Sequence, residues 1–351
     1  MAVTPTTFNV ALGAVLTAHL RNVEMGEPRE QAYLGTRVLS QLEKDRDRTV
    51  DGGGYIHTQV SATQTALGGS YEGSDTAAEG TSDEDTMAVT TLRFYSEPIM
   101  VYRSDVIKAG GTSGAEERLF KYVENKRKQG MRRLRTLVEQ HLLATAAASA
   151  KDVTSLVESM TPDPAVSGGT LDSIDRTTDP WFLNQEEQVG SISGNFDALE
   201  SLSLKCQMGG EEDWDYGICD QQTFLWLKKL ARTYLSLNAG ALQSEGARRI
   251  ADLGIPTIEF EGKPIFWSPY LPSNRNWGAY GGSASGGSLM LLKRDAVKWC
   301  PVPDEEFITE GPFALEARDT PKHGMKWHLM LSGNLVWEKP AACGLAWDIT
   351  A

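Results

Sequence analysis

Leu119, Val123, Met131, Leu134, Val138 and Leu142 recur at three-, four- and eight-residue steps, the spacing of one face of an α-helix. They lie in a proline-free stretch from Ala115 to Ala150, whose one interior glycine is Gly130, after a break at Gly110, Gly111 and Gly114. A helix over 115–150 would be about 50 Å long at roughly 1.5 Å per residue. That exceeds the width of a small domain, so other elements must lie along it.

The period changes elsewhere. After Gly52-Gly53-Gly54, Tyr55, His57 and Gln59 alternate with Ile56, Thr58 and Val60, as in a strand. A second β-prone run, Val89 to Tyr95, closes a long polar excursion, and a further strand, Ile99 to Arg103, is expected after Pro98. Upstream, two amphipathic helices are expected. One runs through Phe8, Leu12, Val15, Leu16 and Leu20 behind Thr7; the other starts near Pro28 and carries Tyr33, Val38, Leu39 and Leu42. With little core of their own, they need another surface to pack on.

Downstream of a loop marked by Pro162, Pro164, Gly168, Gly169 and Pro180, the pattern predicts a helix over Phe196 to Cys206, capped by Ser193 or Asn195. Tyr216 to Cys219 is a short apolar run. Asp220 then caps a helix holding Phe224, Leu225, Leu227, Leu230, Tyr234 and Leu237, and Ala241 to Leu253 reads as helical. Thr257–Phe260 and Lys263–Trp267 form a hairpin about Glu261-Gly262. Strands are expected at Leu289–Leu292, Val297–Cys300, Met325–Leu331, Leu335–Glu338 and Leu345–Ile349. A long helix, a mixed region and a run of strands make the fold class α+β.

Charge is distributed unevenly. Within a chain of net charge −13, Arg118, Lys121, Lys126, Arg127, Lys128, Arg132, Arg133 and Arg135 face only Glu124 between 118 and 135. This basic run is a solvated face, a nucleic-acid contact or a seat for an acidic partner, which includes another copy of the same chain. The 52–92 excursion contains no lysine or arginine and carries Glu72, Asp75, Glu79, Asp83, Glu84 and Asp85. It is either a disordered acidic linker or a segment that binds something. The acidic balance argues against non-specific DNA binding over the whole surface. No run approaches the roughly 20 apolar residues of a membrane span, and the uncharged Phe8–Leu20 segment lacks a basic flank, so neither a membrane partner nor a signal peptide is expected.

Catalytic templates are not met. There is no GxxxxGK[ST] loop, no HExxH and no GxSxG; Cys206, Cys219, Cys300 and Cys343 form no CxxC pair. His323 and His328 straddle a strand start, and Glu211, Glu212 and Asp213 read as a solvated turn. The glycine-rich 278–288 segment precedes a strand and reads as a flexible connector. Trp267, Trp299, Trp327, Trp337 and Trp347 read as core and interface material. No catalytic residue, metal or cofactor is expected. The one enzyme reading left open is a soluble enzyme with an acidic lid over 51–97.

The order of parts resembles the major capsid protein of tailed bacteriophages, the Hong Kong phage capsid fold. Three stretches carry the resemblance: Val38-Leu39-Ser40-Gln41-Leu42 with the GGGYIHTQV run; Phe94-Tyr95-Ser96-Glu97-Pro98-Ile99; and Leu253-Gly254-Ile255-Pro256 with Glu261-Gly262-Lys263-Pro264-Ile265 and Ser268-Pro269-Tyr270-Leu271-Pro272. The resemblance implies an N-terminal arm (1–50), an extended loop (51–97) and a peripheral domain (98–190) with spine helix 115–150. An axial domain (191–294), return strands of the peripheral domain (295–335) and C-terminal axial strands (336–351) complete it. It further implies self-assembly into pentamers and hexamers of an icosahedral shell around double-stranded DNA, located in the virion and assembled in the host cytoplasm. A portal protein and a separate scaffolding or cement protein are the implied partners, and the role is structural rather than enzymatic. An encapsulin-like bacterial compartment shares the fold and is the near alternative. The loop lacks the crosslinking lysine of the family's founding member, so that crosslink is not expected. About 30 residues precede the family-like part, too few for a cleaved scaffolding segment. In the family, a subunit's loop lies over its neighbour's peripheral domain. The acidic loop residues are therefore expected to meet a neighbour's basic spine-helix face.

Overall fold

The computed structural model describes residues 35–45, 53–61, 85–102, 115–145, 149–192, 196–210, 213–234, 257–283, 285–314 and 324–350. The first helix is α1 (Arg37–Lys44), followed by β1 (Tyr55–Ser61), β2 (Asp85–Thr91), β3 (Arg93–Tyr102) and α2 (Ala115–Leu142). After short helical turns come β4 (Thr170–Leu171), β5 (Ile174–Asp175), β6 (Gln185–Gln188), α3 (Phe196–Gly210), β7 (Tyr216–Cys219) and α4 (Gln221–Tyr234). The remainder is β-rich: β8 (Thr257–Phe260), β9 (Lys263–Trp267), β10 (Gly287–Leu292), β11 (Val297–Ala314), β12 (Gly324–Trp337) and β13 (Gly344–Ile349). The expected helices over 8–20 and 241–253 lie outside the described residues, as do residues 28–34 at the start of the second arm helix.

Two compact units divide the chain. One contains Arg93–Gln140 and Pro301–Gly333; the other contains Arg37–Leu92, His141–Cys300 and Asn334–Ala351. In the first, β11, β12 and β3 form a three-stranded sheet with β3 at an edge and antiparallel to β12. Tyr95, Ile99 and Val101 of β3 are buried, whereas Phe94, Ser96, Pro98, Met100 and Tyr102 point outward. The helix α2 lies over the buried face: a Cβ on Gly130 would come within 3.3 Å of Ile99, so the glycine allows close approach. Leu134 and Val138 of the expected stripe are buried, and Met131 is half-buried.

The second unit is built on a six-stranded sheet in the order β6-β13-β10-β7-β9-β8. Every residue of β7, β10 and β13 is buried, as in a sheet covered on both faces. On one side, Leu199, Leu202 and Cys206 of α3 and Phe224 and Leu227 of α4 close a core with Ile265, Leu289, Leu291, Ala346 and Ile349. Asp220 caps α4 by accepting from the amides of Gln222 and Thr223 at 2.8 and 3.0 Å. Glu261 and Gly262, both at positive φ (52° and 78°), make the two-residue turn between β8 and β9.

Several expectations need correction. The spine helix ends at Leu142 rather than at 150. No proline or glycine stops it; instead the Ser155 hydroxyl bonds the carbonyls of Leu142 (3.1 Å) and Ala144 (2.6 Å), meeting acceptors that a helix end leaves free. The expected strand Val89–Tyr95 is two strands parted at Leu92, and Pro98 lies inside β3 rather than before a strand. An edge strand tolerates the missing N–H. Residues 141–190 group with the six-stranded-sheet unit, where β6 lies parallel to β13, with Gln185 N donating to Cys343 O and Val189 N to Trp347 O.

The arm is also partly housed by its own subunit. Val38, Leu39 and Leu42 of α1 are buried. Arg37 stacks 4.2 Å from the Trp267 ring centre and donates to the Trp267 carbonyl at 2.8 Å, while Asp45 pairs with Arg294 at 3.3 Å. The glycine-rich connector is an ordered loop. Trp277 is buried, its Nε1 donates to Gly286 O, and its backbone bonds Ser283 and Gly282. A Cβ on Gly286 would sit 2.8 Å from the Asp348 Cα, so glycine there serves close packing.

Candidate assembly surface

The basic run on α2 divides by what each side chain touches. Arg133 turns back to β3, its Nε 2.7 Å from Glu97 Oε1, and the Arg135 guanidinium lies 5.0 Å from the Phe307 ring centre. Both therefore serve the fold of their own unit. Lys128 pairs with Glu124 one turn earlier at 3.3 Å, with both side chains about half exposed, so the pair holds little free energy. Arg127 and Arg132 are exposed and Lys126 is half-buried. Arg118 and Lys121 lie on the same helix, but their side chains are outside the described residues. Among the described side chains, the exposed basic residues are thus Arg127, Lys128, Arg132 and Arg133, the last of them beside Glu97.

The acidic excursion is described only at its root. Glu72, Asp75, Glu79, Asp83 and Glu84 lie outside the described residues, and Asp85 opens β2 with its side chain likewise outside them. The root is an antiparallel pair in register from Tyr55↔Thr91 to Ser61↔Asp85, with no further strand beside it among the described residues. Ile56, Thr58 and Val60 face inward and are buried. Tyr55 and Met87 face outward at opposite ends of this ladder and are 58% and 59% exposed; on β3, Phe94 is 64% exposed.

Groups that often mark chemistry have structural partners. Cys206, Cys219, Cys300 and Cys343 are free thiols and all buried. Burial raises the thiols of Cys206, Cys219 and Cys343, the last to about 12, so the reactive thiolate is suppressed. His328 Nδ1 lies 3.0 Å from the Ser96 hydroxyl across β3 and β12; His323 lies outside the described residues. Among the described residues no group of three or more His, Cys, Asp or Glu could hold a metal ion, and no helix is long and apolar enough to cross a membrane.

Two structural residues had no signal in the sequence. Asp348 adopts a left-handed backbone (φ 57°), and its carboxylate accepts from Ser283 N at 2.9 Å, from the Ser283 hydroxyl and from Gln188 Nε2 at 3.0 Å. Burial pushes its carboxyl upward, but the bonds from Ser283 and Gln188 outweigh that and hold it below the ordinary aspartate value. Asp172 is the opposite case. Burial is the larger effect and raises its carboxyl, against bonds from the Trp337 amide and the Thr90 side chain. Only a left-handed turn at an Asp hints at either, and Asp is common in ordinary turns.

No protein-family model and no curated protein matches the sequence. Solved structures do. The capsid asymmetric unit of cyanophage A-1(L) is 14% identical, with 95% of this chain and 99% of that chain covered at a TM-score of 0.59. The capsid of the empty GTA particle is 11% identical, covering 91% and 99% at 0.56. The holo-SrpI encapsulin complex from Synechococcus elongatus is 12% identical, covering 95% of each chain at 0.56. With its spine helix, three-stranded sheet and separate six-stranded sheet, the chain has the fold of the major capsid proteins of tailed bacteriophages, the Hong Kong phage capsid fold.

Proposed function

We propose that this chain is a shell-forming structural subunit, the major capsid protein of a tailed-phage-type head. It assembles as pentamers and hexamers into an icosahedral shell around double-stranded DNA, with a portal and a separate scaffolding or cement protein as further partners. Such a subunit belongs to the virion and assembles in the host cytoplasm. The observation that carries the reading is the near end-to-end likeness to a phage capsid subunit, 95% of this chain against 99% of that one. Ring-closing contacts between identical copies require different patches of one chain to complement each other. The acidic excursion and the exposed Arg127, Lys128 and Arg132 provide such a pair of opposite sign. Exposed pairs contribute only about 0.2–1 kcal/mol each, so they set register and partner choice, while exposed apolar side chains such as Tyr55, Met87 and Phe94 supply cohesion.

Electron micrographs of the purified full chain test this directly. Closed shells of uniform diameter are expected, whereas small dispersed particles at every concentration overturn the assignment. A second reading rests on the equally extensive likeness to the encapsulin complex: a protein compartment of the same fold. Nuclease-protected double-stranded DNA in native particles identifies the phage head; particles that enclose protein identify the compartment.

A further inference from the structure

A two-stranded hairpin is marginal by itself in water. Among the described residues the β1–β2 pair joins no larger sheet, so its direction is fixed by whatever grips its root. That grip comes from two sides of the six-stranded-sheet unit. The first is a smaller hairpin, β4–β5, whose turn residues Asp172 and Ser173 both have positive φ (48° and 68°). Val89 N donates to Asp172 O at 2.9 Å, and the Ser173 hydroxyl donates to Val89 O at 3.0 Å. The Asp172 carboxylate lies against the Thr90 side chain and accepts from Trp337 N at 2.9 Å, which ties the turn to β12. The second is Asn334. Its Nδ2 donates to Thr91 O at 2.8 Å, while its Oδ1 accepts from Thr154 N and Leu335 N, both at 2.8 Å.

Three consecutive residues of β2 are therefore engaged from outside the hairpin: Val89 by the Asp172 carbonyl and the Ser173 hydroxyl, Thr90 by contact with the Asp172 carboxylate, and Thr91 by the Asn334 amide. All of these bonds leave the ladder that β2 shares with β1, and all lie within the last three residues before Leu92. The Leu92 amide bonds back to the hairpin's opening residue, Gly54 O, at 3.1 Å. We propose that the Asp172–Ser173 turn and Asn334 form a latch that sets the direction of the extended hairpin on the single subunit, before any neighbour is engaged. When the latch opens, the hairpin remains attached by its covalent ends and is free to be re-aimed. The inference rests on the capsid-type reading for its purpose, but its geometry is internal to one subunit.

Hydrogen exchange on the unassembled full chain tests it, so a failure of the latch is distinct from a failure to form shells. Asp172→Gly keeps the left-handed backbone while removing the carboxylate. Asp172→Asn retains both the backbone preference and an acceptor for Trp337 N. In Asp172→Gly, the β1 and β2 amides and that of Trp337 should exchange roughly tenfold faster, as expected for losing one buried bond to a charged group. The amides of β7 and β10 should be unchanged, and Asp172→Asn should match the parent protein. Ser173→Ala, a milder change, should accelerate β2 alone by a few-fold, which keeps the test open should Asp172→Gly fail to fold. Unchanged β1 and β2 exchange in these variants, or acceleration spread evenly over β7 and β10, overturns the latch.

Discussion

Asp348 shows how one side chain can hold a loop that composition alone describes as loose. Its carboxylate gathers Ser283 and Gln188, while Trp347 beside it meets Trp277 at 5.8 Å and Tyr280 at 6.3 Å between ring centres. Asp348→Ala combines a left-handed backbone that alanine disfavours with the loss of these bonds, an expected cost of about 2–4 kcal/mol; Asp348→Asn keeps the backbone and should lose less. Because the folded carboxyl lies below its ordinary value, its contribution is complete at neutral pH and fades as acidification carries the solution through the unfolded value near 3.8 to the folded one. Thermal melts of parent and Asp348→Asn proteins should therefore differ at pH 7 and converge toward pH 3. Nothing in the 278–288 glycines revealed this role, since the partner carboxylate lies 65 residues beyond Ser283. The Glu261-Gly262 turn, in contrast, was legible because a two-residue hairpin is specified by its own residues.

Among the elements, the spine helix shows where sequence periodicity succeeds and where it stops. Leu134, Val138 and Leu142 are buried as their spacing requires. The helix end was not legible, because the group that meets the last carbonyls, Ser155, arrives from a later segment. The charge run misled in a similar way. Of the six basic residues whose side chains are described, four are exposed, and one of these, Arg133, meets Glu97, while the half-buried Arg135 meets Phe307. Reversing Arg133 or Arg135 would damage the subunit itself, so the informative variant is Arg127→Glu with Lys128→Glu and Arg132→Glu. Sedimentation should show shells that loosen at lower salt than the parent's. Normal shells with unchanged salt resistance exclude the neighbour contact, and intact empty shells that lose packaged genome assign the helix face to DNA. Similarly, α1 carries a readable apolar face, but only the Arg37–Trp267 and Asp45–Arg294 pairs show that its own subunit covers it.

Across the whole molecule, the chain passes between the two units at 36/37, 92/93, 140/141, 300/301 and 333/334. The α+β class and, among the described residues, the order of hairpin root, long helix and strands were legible because each depends on local pattern. The allocation of 141–190 was not, because β6 finds β13 more than 150 residues later in sequence. β13 is also the strand that joins β6 to β10. Removing residues 344–351 should therefore abolish cooperative unfolding and leave the chain insoluble, rather than merely shortening the shell subunit. Loss of the cooperative melt and of near-ultraviolet signal from the buried tryptophans would be the measurements. That position in the sheet also times the protein's birth. A ribosome still translating this chain carries a sheet with an open seam between β6 and β10, and the seam shuts only after residue 349 emerges. Surfaces that depend on the finished sheet thus mature only after synthesis has passed them.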